Sequence, residues 1–247
     1  PATLRASLRQ ALKRQRSERA KARKSQHTES DGLGIPGYRV IKTIVRSERS
    51  AVYRAYSERL GREVALKVLT NAAGEMHTGE EGDRLKREYD IIVQLSHPAI
   101  VPIYDFGLTR DSAYIATEYF AHGNLKDRQK SRLTIAQSAG YFKQIANALR
   151  ALHAAGVCHR DLKPANVMRR ADDSLVLIDF GLARRVESST IVTAAGEVRG
   201  SPYYMSPEQA EGKPLDERSD LYSLGVMFFE MLAGTQDFDK SWNGIWD

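Results

Sequence analysis

The stretch HRDLKPAN at residues 159–166 places Asp161, Lys163 and Asn166 within one short segment, and LIDFGLA at 177–183 adds Asp179. Asp161 follows His159 by two residues, Lys163 follows Asp161 by two, and Asn166 follows Lys163 by three. That spacing forces oxygen and cationic groups into one tight loop. Asp179 stands at the end of the apolar run SLVLI, just before Phe180 and Gly181. Amide and carboxylate oxygens suit Mg²⁺, a hard cation that keeps several of its waters. The Lys163 ammonium can hold a phosphate oxygen, which leaves Asp161 to receive a hydroxyl proton. This inventory fits phosphoryl transfer, where positioning and electrostatics supply nearly all of the catalysis.

Such loops need a scaffold, and the chain changes texture in a way that supplies one. YRVIKTIV and SAVYRAY, from Tyr38 onward, read as two strands, and REVALKVL (62–69) as a third rich in β-branched residues. In 83–95, apolar Leu85, Tyr89, Ile92 and Leu95 follow a helical period, which His97-Pro98 ends. IVPIYDFG and AYIATEYF add two more strands. Beyond them TIAQSAGYFKQIANALRALHAAG (134–156) predicts a long helix closed by Gly156, and SDLYSLGVMFFEML (219–232) predicts another. The expectation is an α+β fold in two lobes, a small strand-rich one and a mainly helical one.

Composition limits the alternatives. With 42% hydrophobic and 28% charged residues in 247, the chain can bury a sizeable core. It has no apolar run of the roughly 18 residues that a membrane helix needs, and no secretory leader is expected. Cys158 is the only cysteine, so an internal disulfide is excluded, and a cytoplasmic location is expected. The net charge of +6 is unevenly spread. Residues 1–26 hold nine Lys and Arg against Glu18, a local +8, which leaves −2 for the rest. The basic pI therefore belongs to a tail, which a polar linker (25–34) joins to the body. Such a tail reads as a solvated, partly helical or disordered extension, or as a contact for an anionic surface, membrane or nucleic acid.

The motifs, in this order and spacing, resemble a eukaryotic-type serine/threonine protein kinase domain of the bacterial style. VALK (64–67) is similar to the strand-three lysine motif, HRDLKPAN to the catalytic loop, and DFG to the metal-binding motif, while SPE (206–208) stands where the family has APE. The resemblance covers roughly 38–235 and implies Mg²⁺ and ATP as cofactors. By that resemblance Asp161 is the catalytic base and Lys163 steadies the transferring phosphoryl. Asn166 and Asp179 are the Mg²⁺ ligands, and Lys67 holds the α/β-phosphates with Glu88 as its partner. Val52 and Ala65 are the adenine roof, Met168 its floor, Thr117 the gatekeeper, and Glu118, Tyr119 and Phe120 the hinge. Asn124 falls at a ribose-contacting position, and Asp220 matches the residue that braces the catalytic loop. GSPYYMSPE (200–208) resembles a cradle for a protein substrate with a Ser or Thr acceptor. Arg160 before the catalytic Asp implies a switch by phosphorylation in 182–205. Thr193 is the first choice there, ahead of Thr190, Ser189 and Ser188. The implied division is a tail and linker over 1–36 and a kinase domain over 37–247, with lobes 37–119 and 120–247.

Two features depart from the family. Aligned on Val52, the three glycine positions of the phosphate loop carry Val45, Ser47 and Ser50. Glycine lets backbone amides approach phosphate closely; serine keeps an N–H and adds a hydroxyl, and Val45 is the larger change. Since the catalytic floor is complete, the expectation is an active kinase with weakened nucleotide binding. The alternative is a catalytically weak kinase-fold binding module. The second departure is the end of the chain, where the closing helices of the large lobe are expected to be absent and FDKSWNGIWD carries two tryptophans.

Overall fold

The computed structural model describes residues 35–47, 50–70, 89–90, 93–109, 112–179 and 202–234. The small lobe is one antiparallel sheet of five strands: β1 (Tyr38–Arg46), β2 (Ser50–Ser57), β3 (Arg62–Thr70), β4 (Ile103–Leu108) and β5 (Ser112–Glu118), in the order β1-β2-β3-β5-β4. Strand alternation sorts its residues. Ala51, Tyr53 and Ala55 of β2 join Val64, Leu66 and Val68 of β3 in a small core. Their neighbours point to the opposite face. There the register sets Val45 against Val52, Val52 against Lys67, and Ala65 against Thr117. Ala65 and Lys67 share one face of β3 by alternation, and the register sets Val52 on the same face.

The large lobe is helical. Helix α1 (Leu125–Gln129) is followed by α2 (Ile135–Ala154), the hairpin β6 (Val167–Arg169) with β7 (Leu175–Leu177), the short α3 (Pro207–Ala210) and α4 (Glu217–Ala233). On α2, Tyr141, Ile145, Ala148, Leu149 and Leu152 are buried at helical spacing. Thr134 caps α2 reciprocally with Gln137. Past its end Gly156 takes φ 73°, and the Val157 N–H returns to Leu152 O at 3.0 Å. Helix α4 packs across α2, where the rings of Phe142 and Phe228 lie 4.7 Å apart and Ser138 Oγ donates to Met231 O at 3.2 Å. It begins two residues earlier than its apolar pattern suggests, because Asp216 caps it through the Arg218 N–H. Together these elements form the main core.

The lobes meet along two seams. Residues 99–101 lie against β7, with the Val101 N–H on Leu177 O at 3.0 Å and the Leu177 N–H on Ala99 O at 2.9 Å. The connector after β5 docks on β6, where Asn124 bridges to Met168.

Candidate active site

The loop 159–166 is held from below. Asp220, 1% exposed on α4, accepts the His159 N–H at 2.7 Å on one oxygen and the Arg160 N–H at 2.8 Å on the other. His153 Nε2 of α2 lies 2.8 Å from the same carboxylate. These bonds offset the cost of Arg160, whose φ of 64° is unfavourable for a side-chain-bearing residue. From the other side Gln209 Nε2 donates to Arg160 O at 2.7 Å, while its own oxygen accepts the Ser206 N–H. His159 is fully buried, and burial pushes its imidazole below the usual histidine range, so it sits neutral. Its Nδ1 accepts the Asp161 N–H at 3.4 Å.

Asp161, Lys163 and Asn166 converge as their spacing suggests. Lys163 Nζ lies 2.8 Å from Asp161 Oδ2, and Asn166 Nδ2 donates to the same oxygen at 3.0 Å and to Asp161 O at 2.7 Å. With its amide nitrogen engaged twice, Asn166 keeps its carbonyl oxygen for another partner. Pro164–Asn166 forms a 3₁₀ turn, and the Ile178 N–H bonds to Asn166 O at 3.0 Å. That bond brings Asp179, whose φ is 62°, beside the loop. Across the cleft, Lys67 Nζ of β3 meets Asp179 Oδ1 at 2.8 Å. This pair joins the lobes. Glu88, the expected partner of Lys67, lies outside the described residues, as do Ser188, Ser189, Thr190 and Thr193.

Of the residues expected around adenine, Val52, Ala65 and Thr117 share the sheet face that carries Lys67, and Met168 lies on β6 of the other lobe. Asn124 caps α1, its Oδ1 accepting the Asp127 N–H at 2.9 Å. Glu118 turns its carboxylate to Arg170. Phe120 is buried against the main core.

The glycine-free loop has a definite structure at its ends. The Ser47 N–H donates to Ser50 O at 2.7 Å, the Ser50 N–H donates to Ser47 Oγ at 3.1 Å, and the two hydroxyls lie 2.9 Å apart. Amides at two of the three glycine positions are thus used inside the turn. The β4–β5 hairpin is closed by the same device. The Thr109 N–H donates to Ser112 O at 2.7 Å, the Ser112 N–H to Thr109 Oγ1 at 3.1 Å, and the hydroxyls are 2.7 Å apart. Val45 is 59% exposed on β1.

Beside Asp161 a cleft is lined by Arg160, Lys163, Tyr204, Met205 and Gln209. Tyr204 is fixed by its hydroxyl on Glu230 at 2.8 Å and by Ser223 Oγ on its carbonyl at 2.6 Å. Glu208 of the SPE motif accepts from Ser219 Oγ, which holds its carboxyl below the usual range. Gln209 and Arg170 were not anticipated. The Ser206-x-x-Gln209 capping box was the available sign of the first; nothing local marks the second.

Comparison with known proteins agrees with this geometry. The family model described as "Protein kinase domain" matches residues 38–245, and the chain belongs to that family. It is 37% identical over 204 residues to a probable serine/threonine-protein kinase of Clostridium acetobutylicum, covering 82% of this chain and 31% of that one. It is 37% identical over 217 residues to serine/threonine-protein kinase pkn2 of Myxococcus xanthus, covering 85% and 26%. It is 38% identical over 195 residues to serine/threonine-protein kinase PknB of Mycobacterium leprae, covering 76% and 31%. The chain therefore spans about a third or less of the length of these relatives. No described helix is long and apolar enough to cross a membrane.

Proposed function

We propose that the chain is a serine/threonine protein kinase domain that transfers the γ-phosphoryl of Mg-ATP to hydroxyls of a protein substrate. The observation that carries the proposal is the convergence of Asp161, Lys163 and Asn166 opposite the Lys67–Asp179 pair. Among the described residues no three His, Cys, Asp or Glu side chains gather as a metal cage. Two oxygen donors, from Asn166 and Asp179, suit Mg²⁺, which fills its octahedron with waters and substrate phosphates. When bound, Mg-ATP supplies the phosphoryl group and the neutralising charge. Asp161 orients the acceptor hydroxyl and receives its proton, and Lys163 balances charge beside it. Lys67 holds the phosphates from the small lobe. The neutral, buried His159 and the Asp220 brace keep this loop rigid, so little reorganisation is needed at the moment of reaction.

The lobes 37–119 and 120–247 would each carry part of this site, with 1–36 as tail and linker. Residues 1–26, at +8, would add attraction to an anionic membrane or nucleic acid. Deleting them should abolish salt-sensitive binding to anionic vesicles or nucleic acid without changing transfer.

A second reading has its own support. The Ser47–Ser50 clasp occupies amides that would otherwise face phosphate, which favours a kinase-fold module that binds nucleotide weakly. Transfer of γ-phosphate to a generic basic protein, compared with Asp161→Asn, separates the two. Transfer by the wild type and a loss of at least about a hundredfold in the variant supports the kinase. Equal incorporation, or none in either, favours the binding module.

A further inference from the structure

Two adjacent arginines, neither of them used in phosphoryl transfer, fasten the connector between the lobes. The connector runs from Glu118, where β5 ends, to Asn124, where α1 is capped. Arg169 holds its far end. The Arg169 N–H donates to Gly123 O at 3.0 Å, its Nη2 to His122 O at 3.2 Å, and its Nη1 pairs with Asp173 at 2.9 Å. Arg170 holds the near end. Its Nε and Nη2 grip the two oxygens of Glu118 at 3.0 and 2.8 Å, and its Nη1 donates to Pro98 O at 2.8 Å. Its guanidinium also lies 5.9 Å from the centre of the Phe120 ring.

Pro98 opens the segment whose Ala99 and Val101 are bonded to Leu177 of β7. One guanidinium therefore ties the end of the small-lobe sheet, the entry to β4 and the β6–β7 hairpin at a single point. A planar fork with five donors can do this; an ammonium, with three donors on one nitrogen, cannot match the geometry. The Arg170 and Glu118 side chains are 30% and 25% exposed, so water screens the pair only in part. On the small-lobe side Arg54, itself bidentate to Glu63, lies over the Tyr119 ring at 5.1 Å. Each of the three hinge residues is thus held by an arginine.

Lys67 belongs to one lobe and Asp179 to the other, so their 2.8 Å contact depends on the angle at which the lobes meet. We propose that Arg170 is a positioning residue that fixes this angle by locking Glu118 and Pro98 to the β6–β7 hairpin. Its catalytic consequence rests on the kinase reading above; its structural consequence does not. Arg170→Met and Glu118→Gln remove the lock, Arg170→Lys keeps charge without the fork, and the Arg170→Glu, Glu118→Arg exchange restores the pair in reverse.

The test has two arms. In the first, spin labels at Glu58→Cys and Lys126→Cys, one on each lobe, are placed in a Cys158→Ala background. The inter-label distance distribution is expected to shift or to widen about twofold in Arg170→Met and Glu118→Gln, and to narrow again in the exchange variant. An unchanged distribution overturns the proposal whether or not the protein transfers phosphate. In the second, kcat and the KM for ATP are measured per folded molecule. A fall in kcat of about tenfold in Arg170→Met, little rescue by lysine and partial rescue by the exchange are expected. A loss confined to melting temperature, with kcat and KM intact, shows a merely structural arginine and overturns it. Absence of transfer in the wild type counts against the kinase reading alone, and the first arm then decides the lock.

Discussion

Asp179, the proposed Mg²⁺ ligand, is ion-paired to Lys67, so its replacement isolates charge from shape. Asp179→Asn should abolish Mg-dependent transfer yet melt within a few degrees of the wild type, because it changes one charge and little volume. Near-wild-type phosphorylation would place the metal elsewhere. His159 gives a prediction in pH. Its folded pKa is depressed by burial, so the unfolded chain binds the extra proton first. Stability from this group is therefore full above about pH 6.5 and falls as pH drops, by up to about 1.4 kcal/mol per unit. Melting the wild type and His159→Gln between pH 7.5 and 5.5 tests this, and the variant should show the flatter slope. At this scale the sequence was informative wherever chemistry is spelled locally. Asp161, Lys163 and Asn166 meet because a few residues of backbone bring them together. Arg170 was invisible because its partner, Glu118, lies 52 positions away, and the capping box that marks Gln209 says nothing of Arg160, 49 positions away.

Strands and helices follow from patterns of period 2 and 3.6, and the five strands read from the sequence are present. What the pattern could not show is how a turn spends its hydrogen bonds. Ser47 and Ser50 look like small substitutes for glycine, yet their side chains close the hairpin. Restoring glycine at both should lower the KM for ATP more than it raises kcat, since the loop acts in ground and transition states alike. An unchanged KM would mean that the clasp does not compete with phosphate. For α2, Leu152 is fully buried, so Leu152→Ala should cost about 2–5 kcal/mol in denaturant unfolding. A loss below about 1 kcal/mol would show that the core there collapses around the gap. The early start of α4 was missed for a related reason: Asp216 caps through a side chain that carries no apolar signal.

Across the molecule, Lys67 and Asp179 meet from different lobes, and no pattern within a single element encodes the angle at which the lobes stand. A ligand that bridges them must favour the assembled state. Mg²⁺ with a non-hydrolysable ATP analogue at a hundred times its Kd should stabilise the chain by about 2.7 kcal/mol. That gain should vanish in Asp179→Asn if both partners of the bridge are needed, and calorimetry with and without Mg²⁺ reads it directly. The two hydroxyl-closed turns have a consequence of another kind. The amides of Ser50 and Ser112 are held by matching acceptors at the same 3.1 Å, in hairpins on either side of β3 in one sheet. In deuterated water they should behave as twin clocks, sharing temperature, pH and solvent. Only the first stands in the proposed nucleotide loop. The ratio of their two exchange rates is therefore a built-in gauge: global breathing cancels, and any divergence on adding nucleotide reports the opening or closing of that loop alone.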